Sequence, residues 1–159
     1  MNWVFLATLI SFTFISISME VKLVSACLLG LPCRYDGVSK ENEYVIELSK
    51  KEVLIPVCPE QLGGLPTPRE PAELRGDKVY TKSKTDLTEN YQKGAMCVLA
   101  IAELYGIKEA ILKQRSPSCG SGQVKLFSGE IVKCDGITTA LLKLRGINVI
   151  SEEELSDII

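Results

Sequence analysis

Short apolar runs alternate along this chain with stretches of helical period. Residues 22–26, 53–57, 107–112 and 149–150 are rich in Val, Ile, Leu and Ala, and each reads as a strand. Pro56 lies near the end of its run, where a missing N–H donor does least harm. Between the runs, Tyr44, Val45 and Leu48 fall at helical spacing behind Asn42, a residue able to cap the helix they define. The longest predicted helix covers residues 87–105, with Leu87, Tyr91, Ala95, Val98, Ala102 and Tyr105 as its apolar stripe. Thr85 or Asp86 caps it and Gly106 ends it; Cys97 within it reads as a small buried residue. Residues 78–81 suit a small edge strand, and residues 124–127 and 130–132, joined at Ser128-Gly129, suit a hairpin. A further helix runs through Thr138, Leu141, Leu142 and Arg145 to Gly146, and residues 151–154 begin a capped C-terminal turn. The prolines and glycines of residues 58–71 speak against regular structure there, and so long a loop in a compact domain is usually functional.

Helices placed between strands imply right-handed parallel crossovers. The expected fold is therefore α/β: a single compact domain with a mostly parallel open sheet flanked by helices, and a small hairpin. A chain of 159 residues that is 46% hydrophobic has enough material for one well-formed core. Residues 3–17 are apolar with interspersed Ser and Thr and no preceding Lys or Arg, shorter than a standard membrane-spanning helix. Met19 stands directly before the first strand, so residues 1–18 are expected to be a dispensable extension or an upstream misassigned start in preference to an export signal or anchor, and the domain to span residues 19–159. Contact with a membrane is expected only if that segment acts as an anchor, and the cytoplasm is the expected compartment.

Composition narrows the chemistry. The chain has no histidine, which removes imidazole-based triads, histidine general bases and mixed Cys/His zinc sites. A net charge of −2 with no long basic run gives no reason to expect DNA as a partner. Six cysteines in a chain of this length and βα pattern read as reduced, metal-binding or catalytic thiols instead of a disulfide framework. Cys27 and Cys58 close two of the predicted strands, and Cys119 lies in Arg-Ser-Pro-Ser-Cys-Gly-Ser-Gly, the loop beyond a third. Open parallel sheets gather their ligands outside the carboxyl ends of the strands, so the three thiols can share one site. No Cys-x-x-Cys pair occurs, which argues against zinc ribbons, thioredoxin chemistry and contiguous ferredoxin motifs. Three thiolates on an iron–sulfur cluster leave one iron open to act as a Lewis acid. Near the thiols in sequence, Glu60 suits a general base whose pKa burial would raise, and Ser116 suits a hydroxyl that positions water. Each also has a purely structural reading: a loop-capping carboxylate for Glu60, and a turn hydroxyl before Pro117 for Ser116. Arg34 and Asp36 can pair with each other or with loop carbonyls, and Arg69 stands in the same group. Cys134 reads as structural.

Three motifs together carry a family resemblance. Cys27-Leu28-Leu29-Gly30 with Cys33-Arg34-Tyr35-Asp36-Gly37, then Val57-Cys58-Pro59-Glu60-Gln61-Leu62-Gly63-Gly64-Leu65, then Ser116-Pro117-Ser118-Cys119-Gly120, resemble the TudS-type thiouracil desulfidase family. The resemblance covers residues 19–155 and implies a [4Fe-4S] cluster held by Cys27, Cys58 and Cys119, with Cys33 as a candidate fourth thiol. It further implies that the open iron takes the sulfur of a small thiolated base such as thiouracil, that Glu60 and Ser116 are catalytic, and that C=S becomes C=O with release of hydrogen sulfide, without redox change. Cluster-assembly machinery is an implied partner. The glycines after Cys119 are expected to let the backbone approach the cluster closely. Two alternatives stay open at this point: a non-catalytic iron–sulfur or zinc protein that senses redox state or metal through four thiols, and a desulfidase of thionucleosides in RNA.

Overall fold

The computed structural model describes residues 20–157, so the apolar extension expected at residues 1–18 lies outside the described residues. The chain runs from β1 (Val21–Ser25) through a 3-10 turn (Ala26–Leu29) and α1 (Glu43–Leu48) to β2 (Val53–Val57). Next come α2 (Pro59–Leu62), β3 (Ala72–Arg75), β4 (Lys78–Thr81) and the long helix α3 (Thr88–Tyr105). Then follow β5 (Glu109–Leu112), β6 (Val124–Lys125), β7 (Ile131–Val132), α4 (Ile137–Leu144), β8 (Asn148–Ser151) and a final 3-10 turn (Leu155–Asp157). The main sheet has the order β2-β1-β5-β8, with every pairing parallel.

Alternation along the central strands explains the layers. Leu23, Ala110 and Leu112 face a core built with Val98, Leu99 and Ala102 of α3 and Leu142 of α4. Val24 and Ile111, one residue out of phase, face a second core with Leu28, Val45 of α1 and Leu155. A parallel sheet covered on both faces is the outcome expected of strands that are apolar at consecutive positions. Asn42 caps α1 as its sequence position suggested, its side chain accepting the Val45 N–H at 3.1 Å. Asp86 serves the start of α3, where its carboxylate accepts the Thr88 N–H at 2.9 Å. Pro56 sits on the edge strand β2, where no neighbour needs its donor.

Three expectations need correction and one gains a partner. Residues 58–71 are not without regular structure: α2 starts at Pro59, and proline at the first helical position gives up only an N–H that has no partner there anyway. The edge strand expected at residues 78–81 forms as β4 and pairs antiparallel with β3 through Gly76-Asp77, with Gly76 at φ +65°. Tyr105 does not join the buried stripe of α3 but stands 61% exposed at the last helical position, before the left-handed Gly106 cap. Cys97 is only partly buried on that helix. Among the described residues no helix is long and apolar enough to cross a membrane.

Candidate active site

The carboxyl ends of β1, β2 and β5, three neighbours in the sheet, open into a cavity of about 500 Å³. Its wall includes Cys27, Cys33, Cys58 and Cys119 together with Glu60, Arg69, Tyr91 and Ser116. Cys27, Cys33, Cys58, Glu60, Ser116 and Cys119, drawn from all three motifs, therefore share one space, whereas Asp36 lies outside it. Cys27 lies in the 3-10 turn that ends β1, which the left-handed Gly30 at φ +94° closes. Cys58 follows β2 directly and caps α2, which carries Glu60 in its first turn. Cys97 and Cys134 do not line this cavity.

The Cys119 loop is held from several sides. Ser116 Oγ accepts the N–H groups of Ser118 and Cys119, each at 3.1 Å. Ser118, fully buried, shares a 2.9 Å hydrogen bond with Thr138 of α4, and Thr139 Oγ1 donates to the Cys119 carbonyl at 2.8 Å. Gln114 spans the loop, accepting from Ser121 N at 2.9 Å and donating to Ser121 O at 3.1 Å. Buried Glu152 in turn accepts the Gln114 N–H at 2.6 Å and pairs with Lys113. Arg115 is held at φ +61°, a left-handed conformation uncommon for a residue with a side chain, and forks onto Glu153 at 2.6 and 2.8 Å. Gly136 stands so close to this loop that a Cβ there would lie 2.5 Å from the Ser118 carbonyl.

The loop's own packing demands a glycine directly after Cys119. A Cβ on Gly120 would meet Gln123 O at 2.3 Å and Ser116 O at 2.8 Å, both from the loop's own turn. The tightness of the turn therefore requires glycine at position 120.

Glu60 is held at both ends. Its carbonyl accepts the Leu65 N–H at 3.1 Å, and Arg69 Nε and Nη2 reach its Oε2 at 2.7 and 2.5 Å. This carboxylate is largely buried, and a buried guanidinium is its counter-ion. Tyr91, which belongs to the apolar stripe of α3, also lines the cavity beside Glu60. Burial first, and then the Glu60 charge, push its hydroxyl far above the usual tyrosine range. Arg34 takes the simpler of its two readings, forking onto Asp36 at 3.2 and 3.0 Å.

All six cysteines are free thiols, and the four in the cavity interact. Contact with the Cys27 thiol, with burial adding to it, pushes Cys33 up to about 11. The Cys33 thiol and burial push Cys58 far above the ordinary thiol range, while burial pushes Cys119 up to about 12. A buried thiol set of this kind becomes thiolate only when a cation joins it. Soft thiolates without imidazole are the donor set of iron–sulfur clusters, so the residues present fit such a group. Among the described residues no group of three or more His, Cys, Asp or Glu side chains is arranged to hold a single metal ion.

Fold and site together define an α/β protein with a thiol-lined cavity at the carboxyl ends of a parallel sheet. The family model for 2-thiouracil desulfurase matches residues 23–154, and the chain belongs to that family. It is 44% identical over 149 residues to protein YbbK of Bacillus subtilis (strain 168), covering 86% of this chain and 99% of YbbK. A solved structure, the [4Fe-4S]-dependent thiouracil desulfidase TudS, superposes with a TM-score of 0.82 at 45% identity, covering 87% of this chain and 94% of that one.

Proposed function

We propose that this protein is a [4Fe-4S]-dependent desulfidase that hydrolyses the C=S bond of a thiolated pyrimidine such as thiouracil to C=O, releasing hydrogen sulfide. The observation that carries the reading is the convergence of Cys27, Cys58 and Cys119, from three adjacent strand ends, on the cavity that also holds Glu60 and Ser116. Family membership and the likeness to TudS support it. Cys27, Cys58 and Cys119 would hold the cluster, and Cys33 stands beside them as an auxiliary thiol. When bound, the cluster supplies a Lewis-acidic iron that polarises the thiocarbonyl.

The chain's own residues supply the proton traffic. Glu60 takes a proton from a water that attacks the thiocarbonyl carbon and returns it to the departing sulfur, then carries the second proton from the added hydroxyl to that sulfur as the carbonyl forms. The sum is one C=S and one water converted to one C=O and one hydrogen sulfide, with no electrons gained or lost. Ser116 has a narrower part than a general relay. Two backbone N–H groups occupy both acceptor positions of its oxygen, so its own O–H remains as a donor. It orients water or product oxygen by donating and does not take protons.

Anaerobic reconstitution with iron and sulfide, followed by a thiouracil assay at the thiocarbonyl absorbance, tests the reading. Loss of that absorbance with equimolar sulfide release is expected. A complete cluster spectrum with no substrate loss would move the protein to the sensor class, in which Cys33 is a fourth ligand.

A further inference from the structure

We propose that Arg69 is a positioning residue for the reaction: it fixes Glu60 through Oε2 so that Oε1 is the oxygen presented to the reacting water, an inference that rests on the function proposed above. The geometry distinguishes this from a role in touching substrate. Both guanidinium contacts to Glu60 fall on Oε2, at 2.7 and 2.5 Å, and none falls on Oε1. The remaining donors are spent on the protein: Nη1 reaches Cys33 O, Pro66 O and Thr67 Oγ1, each at 3.2 Å, and Nη2 reaches Cys33 O at 3.2 Å. A guanidinium has five N–H donors in a fixed fork, so little is left over for a ligand. Its side chain is 6% exposed.

The same fork ties the proposed base to the thiol set. Cys33 O accepts from both Nη1 and Nη2 of Arg69, so the guanidinium that holds Glu60 also grips the backbone of a cavity cysteine. The Arg69 backbone N–H is itself anchored on Tyr35 O at 2.8 Å. Glu60 is thereby held from its backbone by α2 and from its carboxylate by Arg69, the two-ended restraint that a group working on a single water requires. A lysine supplies the charge at this position but not the fork.

Reconstituted wild type, Arg69→Met, Arg69→Lys, Glu60→Gln and the Arg69→Met/Glu60→Gln double variant decide the matter, with iron content and cluster absorbance measured beside kcat and KM. Arg69→Met is expected to keep its cluster and hold KM within about threefold while kcat falls about 100-fold, and Arg69→Lys to fall about 10-fold. Millimolar guanidinium is expected to restore part of the Arg69→Met rate and leave wild type unchanged. Because Arg69 acts through Glu60, the double variant should be no slower than Glu60→Gln alone. Losses that multiply in the double variant overturn the proposal, as does a wild-type kcat in Arg69→Lys when Arg69→Met fails to fold. Wild-type rates in both Arg69 variants beside an impaired Glu60→Gln remove this inference only. A wild-type rate in Glu60→Gln removes the assigned base and this inference with it.

Discussion

Gly94→Ala places a methyl group where α3 has room for none. A Cβ at Gly94 would lie 1.9 Å from Pro59 O and 2.7 Å from Pro59 C, both backbone atoms of α2. Ordinary van der Waals contact begins at 3.4 Å, so the two helices must part by about 1.5 Å, the difference between 3.4 and 1.9. Backbone cannot rotate away as a side-chain tip can, which puts the cost near the upper end of overpacking, about 3 kcal/mol. The gain in helix propensity from glycine to alanine returns about 1 kcal/mol. A net loss of about 2 kcal/mol lowers Tm by roughly 4–8 °C in a chain of this size. The displaced element carries Glu60 one residue after Pro59, and a misplacement of about 1 Å costs on the order of 100-fold in rate. Thermal unfolding and kcat on the reconstituted protein read both effects. A rise in Tm, which helix propensity alone predicts, or an unchanged kcat would refute the reasoning.

Three other outcomes follow from the same geometry. Ser116→Ala removes both the acceptor of two loop N–H groups and the free donor, so kcat should fall about 100-fold; Ser116→Thr, which keeps the hydroxyl, should retain most of the rate, and equal loss in both variants would contradict the donor role. Cys27→Ser, Cys58→Ser and Cys119→Ser should each lose the cluster absorbance, whereas Cys33→Ser should keep it; loss in all four would mean four protein ligands. Glu73 is held below the usual carboxylate range by the Phe127 N–H first and by Arg75 next. Its folded pKa is depressed, so its contribution to stability is present above about 4.3 and is lost as pH falls further. Urea midpoints should therefore drop more steeply between about pH 5 and pH 3 in wild type than in Glu73→Gln; parallel slopes would remove Glu73 from the acid limb.

Much of the sheet was legible because its strands are buried on both faces and so read as unbroken apolar runs. The same runs located Cys27 and Cys58 at strand ends, and the topology then brought Cys119 to them through the order β2-β1-β5. The hairpin of β3 and β4 was only half visible, since Ala72–Arg75 is poor in strand-forming residues; the signal that locates it is the two-residue Gly76-Asp77 link. The helix α2 was hidden by composition, because proline and glycine punctuate the segment although Pro59 occupies a helix-compatible position. The grip of Arg69 on Glu60 spans nine residues across a loop, and no local periodicity encodes it. Tyr91 was camouflaged by its place in an apolar helical stripe, where a buried ring and a cavity-lining ring look alike.

Hydrolytic desulfuration at a cluster proposed to be held by Cys27, Cys58 and Cys119 makes water the source of the new oxygen. Turnover of thiouracil by the reconstituted protein in water enriched in heavy oxygen, with the product examined by mass spectrometry, tests it most directly. Hydrolysis puts the heavy oxygen in the product carbonyl and releases one sulfide for each product formed. A product without the label, or a protein with its full cluster that leaves thiouracil unchanged, would contradict it.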